Sequence, residues 1–368
     1  MLGTAWSAQT NDAHFVLDDK ELHDVSQKVQ SHKSFRKDYL AYCKVLNVTP
    51  HPKLCPRLDE EDKDLLVQGY DESDVDTVSV RNWMVDTASL KVMSLALHNS
   101  TAIHTVKLFN VALSVDQLSL VCEKFPATSI KTLQIEWNSI APTLLVASPD
   151  SPDLTTCYAK LLSPQSSLTS LSLRANGITS IGGAAIAEAL KTNTKLAVLN
   201  LFRNDLADDG AAALAYALPD NKTLMHLSVA NNNISATGAM SLIRAITRYV
   251  LREDQLQHAA DVEVQIQAAL DAAKKQKKKL ERADVIKELN LPDTETIDGV
   301  MYGVGNATLQ SLTISGNNLT SYDDLQPLNK LLEDHHAKLK THLHVVKAQR
   351  MFPRNASSPK PLSEFLLL

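Results

Sequence analysis

The fold is decided by residues 167–246, which read SLTSLSLRANGITSIGGAAIAEALKTNTKLAVLNLFRNDLADDGAAALAYALPDNKTLMHLSVANNNISATGAMSLIRAI. This stretch repeats with a period of 28 residues, from Leu168 to Leu196 and on to Leu224. Each copy follows the pattern L-x-x-L-x-L-x-x-N-x-[LI], with valine replacing leucine once. The matching positions are Leu168, Leu171, Leu173, Asn176 and Ile178; Leu196, Leu199, Leu201, Asn204 and Leu206; and Leu224, Leu227, Val229, Asn232 and Ile234. Three copies at one spacing indicate a repeat architecture.

Each copy combines a strand pattern with a helix pattern. Leu171 and Leu173 alternate with polar residues, so they lie on the inner face of a short strand. The amide of Asn176 can hydrogen-bond the backbone of neighbouring coils where the chain turns. The second half of each copy is rich in alanine, with leucine at helical spacing, which predicts a helix. Because one unit cannot bury its own apolar face, stacked neighbours complete a shared core.

The repeat pattern and its length resemble the leucine-rich repeats of the ribonuclease-inhibitor-like subclass. That resemblance implies an α/β solenoid shaped as a horseshoe. Its parallel sheet would line the concave side, and its helices would form the convex side.

Weaker copies extend the array in both directions. They begin at Val75, Ile103, Ile130 and Leu309. The step from Ile130 to Leu168 is ten residues longer than one period, and a Ser/Pro loop at 146–156 accounts for it. The step from Leu224 to Leu309 is 85 residues, which leaves 57 beyond one period. This interruption contains a long stretch without Pro or Gly, and it predicts one long helix or a helical hairpin.

The chain therefore divides into five predicted segments. They are an N-terminal extension and helical cap at 1–70, repeats one to six at 71–250, a helical insertion at 251–306, a last repeat at 307–340, and a C-terminal tail at 341–368. The cap would cover the core that the first coil of an open solenoid exposes. The tail lacks repeat character, and its closing SEFLLL predicts an apolar anchor.

The amino-acid composition limits the classes of protein to which the chain can belong. The chain has 368 residues, 44% of them hydrophobic and 21% charged, with a net charge of −5. These values are typical of a soluble globular protein, and the acidic balance disfavours a general nucleic-acid binder. We expect no membrane span and no signal peptide. The four cysteines lack C-x-x-C spacing, so reduced cytoplasmic thiols are expected.

The sequence contains no recognisable catalytic or nucleotide-binding motif. No G-x-x-x-x-G-K-[ST] or G-x-G-x-x-G loop occurs. His335, His336, His342 and His344 cluster, but the favoured interpretation is a solvated polar helix face rather than a metal site. Asp208-Asp209 and Asp323-Asp324 suit helix N-termini. We therefore expect neither an enzyme nor a bound cofactor or metal.

Two surfaces are candidates for binding another protein. The outward strand positions on the concave face carry aromatic and charged residues of the kinds enriched at interfaces: Arg81, Phe109, Glu136, Trp137, Arg174, Phe202 and Arg203. Alternatively, the chain's own termini cover this face and no partner binds there. The insertion carries a basic run, Lys274, Lys275, Lys277, Lys278 and Lys279. This run is either a solvated helix end or a contact for an acidic surface such as a tubulin tail.

The segment YLAYCKVLNVTPHPKL at 39–54 resembles the lead-in before the repeats of some ciliary leucine-rich-repeat proteins. The resemblance implies a non-enzymatic scaffold, a structural subunit of a large cytoskeletal complex in the axoneme of a cilium or flagellum. One alternative is a regulator of a small GTPase, since the Ran GTPase-activating protein has a similar fold. Another is a cytosolic enzyme inhibitor that binds through the concave face, although the ribonuclease inhibitor family is rich in cysteine.

Overall fold

The architecture is that of a computed structural model of the chain. It describes residues 19–54, 76–138, 153–276, 279–289, 294–319, 321–350 and 362–368. The predicted Ser/Pro loop at 146–156 lies outside these residues except for its last four, and residues 154–156 begin a 3-10 helix, Leu154–Leu162.

A parallel sheet runs through the repeats, as the pattern predicts. Its strands are β1 (Thr77–Arg81), β2 (Thr105–Phe109), β3 (Thr132–Glu136), β4 (Ser170–Ser172), β5 (Val198–Asn200), β6 (His226–Ser228), β10 (Ser311–Thr313), β11 (Val345–Lys347) and β12 (Leu366–Leu367), adjacent in that order. The predicted alignment of the copies is also the register of the sheet, because Leu171 pairs with Leu199 and Leu199 with Leu227. The inward leucines thus stack into one continuous core.

Helices pack along one side of this sheet. They are α3 (Thr87–Asn99), α4 (Val115–Lys124), α5 (Ser180–Thr192), α6 (Ala207–Ala217), α7 (Ala236–Thr247), α10 (Tyr322–Asp334) and the short α11 (His336–Leu339). Small residues allow α5 and α6 to approach closely. A Cβ on Gly183 would lie 2.6 Å from Leu206 Cδ2, at the start of α6, and a Cβ on Gly210 would lie 3.4 Å from Ser180 Cα of α5. Glycine at these positions lets each helix settle against its neighbour.

The repeat asparagines form a ladder through the core, which confirms the role predicted for Asn176. Their Oδ1 atoms accept backbone N–H groups from the preceding coil at 2.7 to 3.4 Å, as Asn204 does from Asn176 at 3.0 Å. Their Nδ2 groups donate to carbonyls of the preceding coil, as Asn204 does to Leu173 at 3.0 Å. The members are Asn138, Asn176, Asn204, Asn232 and Asn317, all buried. The ladder ends at Val111, whose coil has no asparagine at this position.

A second asparagine ladder lies at the other turn, between each helix and the next strand. Asn193, Asn221 and Asn306 are buried there. Asn221 Nδ2 donates to Leu190 O at 2.7 Å, while its Oδ1 accepts from Leu224 N at 2.7 Å. Asn306 repeats both bonds one coil later. The N-x-T triplet at Asn221 therefore has a structural reason, since its asparagine is 1% exposed.

Two helices precede the repeats. They are α1 (Asp19–Lys28) and α2 (Phe35–Leu46), and residues 29–34 separate them. Tyr39 and Tyr42 of α2 are fully buried and belong to the repeat core, where α2 packs against α3. The remainder of the predicted 1–70 cap, residues 1–18 and 55–70, lies outside the described part of the chain.

The interruption between repeats six and seven contains more than helix. Its helices α8 (Glu253–Lys275) and α9 (Arg282–Glu288) pack together as a hairpin around Val262, Ile266 and Val285. Three strands that the sequence did not predict accompany them: β7 (Arg248–Val250), β8 (Thr294–Ile297) and β9 (Val300–Val304), in an antiparallel sheet of order β7-β9-β8. β6 and β10 nevertheless pair directly, so the insertion leaves the register of the main sheet intact.

One arginine ties the insertion to the repeats. Arg252, the residue before α8, places Nη2 2.7 Å from Asp220 Oδ2 and donates from Nη1 to Tyr216 O at 3.0 Å. Its guanidinium also lies 4.2 Å from the centre of the Tyr216 ring. The attachment lies at the base of the hairpin, and the described residues at its far end, 274–276 and 279, are exposed.

The C-terminal segment differs from the tail without repeat character that the sequence suggests. Its β11 pairs with β10, and β12 pairs with β11, so both continue the parallel sheet. Phe365 and Leu366 are buried, which confirms the apolar anchor at the closing SEFLLL. The leucine pattern of the repeats is absent from this segment. The strand β11 has only three residues, which is too short for alternation of polar and apolar residues to predict it.

Within the described residues, no helix combines the length and the apolar character needed to cross a membrane.

The first ladder generates a stability prediction. Asn204→Ala removes an amide that serves two N–H donors, on Asn176 and Ile178, and two carbonyls. Leaving these buried groups unpaired should lower the free energy of unfolding by about 3 kcal/mol. Denaturant titration measures it. Asn200→Ala is the matched control, because that amide accepts a single local bond from Phe202 N, and it should cost less than about 1 kcal/mol. Equal losses in both variants would refute the role of the ladder.

Candidate functional site: the open face of the sheet

The side of the main sheet opposite the helices presents a continuous polar and aromatic surface. We call it the open face, and we define it as the outward strand positions together with the residues that follow each strand of the repeats. Along β1 and β2 the inward valines and leucine are buried while Arg81 and Phe109 are not. The seven residues predicted to bind a partner all lie on this face.

Four of the seven form one row. The Arg81 guanidinium lies 4.6 Å from the centre of the Phe109 ring, and the rings of Phe109 and Trp137 are 6.3 Å apart. The Arg203 guanidinium lies 4.7 Å from the Trp137 ring. The row therefore places two neighbouring aromatic rings between two guanidinium groups, and Trp137 keeps 38% of its surface exposed.

The other three form a second row beside the first. Arg174 Nη1 lies 3.7 Å from Glu136 Oε2, and its guanidinium lies 4.9 Å from the centre of the Phe202 ring. Glu136 also accepts a hydrogen bond from Ser172 at 2.6 Å. Glu136 is thus engaged by its neighbours, whereas the aromatic and arginine faces remain partly open.

A left-handed backbone recurs at the position just after the outward residue that ends each strand pattern. The φ angle there is positive in eight coils, at Asn82, Asn110, Trp137, Ala175, Arg203, Asn231, Gly316 and Arg350. Asn and Gly adopt this conformation readily, whereas bulky side chains rarely do. Trp137 and Arg203 therefore occupy strained positions, and they contact each other. Strain of this kind is commonly found where side chains serve a function rather than the fold.

The open face is basic although the whole chain is acidic. Its cations among the described residues are Arg81, Lys107, Arg174, Arg203, Lys347 and Arg350, and its single carboxylate is Glu136. The net charge of the whole chain is −5. Lys347 and Arg350 escaped the sequence analysis because their coil lacks the leucine template. The alternation of β2 is sufficient to predict Lys107 on this face, since it occupies an outward position of that strand.

The predicted basic run of the insertion lies at the far end of the hairpin. Lys274 and Lys275 occupy the last turn of α8, where they suit the helix dipole. Lys279 follows in the connection to α9, with its side chain 91% exposed. Lys277 and Lys278 lie outside the described residues. The described lysines of this run make their ion pairs within the insertion, Lys274 with Asp271 and Lys279 with Glu281, rather than with the open-face rows.

The C-terminal histidines do not converge. His335 Nδ1 contacts Leu331 O at 3.0 Å, whereas His336 Nε2 lies 2.7 Å from Glu364. Burial lowers the pKa of His342, so its ring stays neutral at physiological pH. Across the residues described, no group of three or more His, Cys, Asp and Glu side chains could hold a metal ion.

One member of each acidic pair, Asp208 and Asp324, has a structural partner. Asp208 accepts from Ser235 N at 2.7 Å, which links two coils. Asp324 accepts from Ser321 N at 2.9 Å and forms a capping box at the start of α10. All four aspartates lie in the first turn of a helix, which agrees with the position that the sequence favours for these pairs.

Comparison with known proteins bears on the class of the fold. The family model described as "Leucine Rich repeat" matches residues 165–187, 192–215 and 220–242. These segments are the three clean copies, so the chain contains leucine-rich repeats there. No curated protein sequence matches the chain significantly.

The strained arginine generates a prediction that separates stability from binding. Arg203→Asn relieves left-handed strain of about 1 kcal/mol and loses a cation–π contact of similar size. The free energy of unfolding should therefore change by less than about 0.5 kcal/mol, as measured by denaturant titration. The reverse change at an equivalent position, Asn110→Arg, should lower it by about 1 kcal/mol. A loss above about 1.5 kcal/mol in Arg203→Asn would show that Arg203 supports the fold.

Proposed function

We propose that this protein is a non-enzymatic interaction scaffold that binds an acidic partner protein through the open face. The observation that carries the proposal is the charge contrast on this face. Six cations and a row of partly exposed aromatic rings lie on it, with one carboxylate that is already paired, in a chain of net charge −5. Arginine and aromatic residues dominate binding energy at interfaces, and complementary charge speeds encounter and sets partner choice.

The strain at Trp137 and Arg203 supports the same proposal. Both residues occupy backbone positions where Asn and Gly stand in other coils. Neither side chain belongs to the buried core. Binding a partner supplies a reason for bulky side chains at these positions that the fold does not supply.

We further propose that the assembly is a large cytoskeletal complex, that of the ciliary or flagellar axoneme in the cytoplasm. The resemblance of residues 39–54 to the lead-in of ciliary leucine-rich-repeat proteins supports this setting. The basic run on the insertion supports acidic tubulin tails as a second contact. In this arrangement the open face binds one subunit and the hairpin reaches towards another.

The open-face proposal predicts a loss of binding without a loss of folding. The full chain is purified with its natural partners, which mass spectrometry identifies, and the partner's affinity is then measured with purified components. The double variant Arg81→Ala/Arg203→Asn should weaken binding by at least about tenfold and reduce its dependence on salt. The control Lys124→Ala/Lys191→Ala removes the same charge from the last turns of two helices and should bind like the wild type.

Several outcomes would contradict the proposal. Equal affinity of the two double variants for the partner would exclude the open face as the binding surface. A small GTPase whose hydrolysis rate rises on binding would replace the scaffold with a regulator, and an enzyme that loses activity would replace it with an inhibitor. Binding carried by nucleic acid, abolished by nuclease, would replace the protein partner.

The insertion generates a separate prediction. Replacing residues 253–289 with a short Gly-Ser linker removes α8 and α9 but keeps Arg252 and its bonds to the repeats. Because the hairpin has its own small core, circular dichroism should report a folded repeat array. Assembly with tubulin should fail, and Lys274→Ala/Lys275→Ala/Lys279→Ala in the full chain should weaken it. Unchanged assembly in both variants would leave the hairpin without a docking role.

A further inference from the structure

Two cysteines distant in sequence meet beside the irregular step of the array. Cys122 lies near the end of α4, and Cys157 lies in the 3-10 helix Leu154–Leu162. Their Sγ atoms are 4.0 Å apart, and the two thiols are not joined by a disulfide. The scaffold role makes no use of this pair, so its juxtaposition calls for a separate account.

The two thiols differ in access. Cys122 is fully buried in the repeat core, whereas Cys157 is only partly buried. Cys157 borders a recess of about 190 Å³ that Leu118 and Lys160 also line. A small polar oxidant can therefore reach Cys157 from the recess, whereas Cys122 is fully buried and does not line it.

The surroundings of the two cysteines also determine which thiol loses its proton more readily. The hydrogen bond from Cys122 lowers the pKa of Cys157, and the Lys160 ammonium adds to this effect while burial opposes it. Burial raises the pKa of Cys122 well above its ordinary value. Lys160 is itself paired with Glu123 at 2.5 Å, so its effect on Cys157 is moderated. The accessible sulfur is thus the nucleophilic one, since the thiolate is the reactive form.

We propose that Cys157 and Cys122 form a peroxide-oxidisable dithiol site that closes into a reversible disulfide. The Cys157 thiolate attacks one oxygen of hydrogen peroxide, the O–O bond breaks, and hydroxide leaves, giving a sulfenic acid. The Cys122 sulfur then attacks the Cys157 sulfur. The S–O bond breaks, the hydroxyl leaves with the Cys122 proton as water, and the disulfide forms. The peroxide is reduced by two electrons, and the two thiols are oxidised by the same two.

Closure requires a small movement with a defined consequence. The sulfurs must approach from 4.0 Å to about 2.05 Å. The bond would tie α4 to the 3-10 helix, which packs against both α4 and α5. It would close a loop from residue 122 to residue 157 that contains the extra residues of the irregular step. Oxidation would therefore add a covalent cross-link at the irregular step of the array.

Peptide mapping of the full chain tests the site. The reduced protein is exposed to hydrogen peroxide, blocked with iodoacetamide and digested with trypsin. The expected product links peptide 108–124 to peptide 132–160, with a mass about 2 Da below the sum of the two thiol peptides. Dithiothreitol should release both. Peptide 38–44 is the internal control, because its Cys43 is 2% exposed and should remain reduced. Peptide 54–57 reports Cys55 separately.

Two variants make the order of events testable. In Cys122→Ser, dimedone should trap a sulfenic acid on Cys157, because the second thiol is missing. In Cys157→Ser, Cys122 should stay unmodified at the same peroxide dose. Oxidised wild type should melt at a higher temperature than reduced wild type, and neither variant should show the shift. Absence of the linked peptide at peroxide excess, or dimedone labelling of Cys122 in place of Cys157, would overturn the proposal.

Discussion

The asparagine amides at the two turns of each coil hold the repeat array together. A solenoid turns its backbone sharply twice per coil, and at each turn N–H and C=O groups point into the core with no strand or helix to pair them. One amide offers both an acceptor and two donors, so it can satisfy groups of either kind in two coils at once. Asn204 does so between strand and helix, and Asn221 does so between helix and strand. The leucine core supplies most of the burial, while these amides fix the spacing at which coils can stack.

This division explains which parts of the fold the sequence reveals. The period of 28 residues is the distance between equivalent amides and leucines, and it predicts the register of β4, β5 and β6. The second ladder is visible in retrospect, because Asn193 and Asn221 share the same period. Where the template is absent, prediction fails. The strands β11 and β12, and the three-stranded sheet of the insertion, are short segments whose pairing depends on tertiary contacts rather than on local pattern.

The candidate surface shows a similar limit. The seven residues predicted from outward strand positions do lie on one face, since period-2 alternation decides which way a side chain points. Their arrangement into two rows, in which arginines lie against aromatic rings, depends on the register between neighbouring strands. The charge contrast needs Lys347 and Arg350, which come from the coil without a template. The proximity of Cys122 and Cys157 cannot be predicted from the 28-residue period, because the irregular step displaces one coil relative to that period.

The direct pairing of β6 with β10 also bears on the order in which the molecule assembles. Neighbouring regular coils join residues 28 apart, whereas β6 and β10 join residues 85 apart. The entropy of closing this longer loop adds about 1 kcal/mol relative to a regular step. The hairpin can form early on its own local contacts, which shortens the effective separation. We therefore expect coils one to six to stack first and the last coils to dock onto them in a second step. On this expectation, the insertion divides the stacking of the coils into two stages, and the slower step is the pairing of β10 with β6.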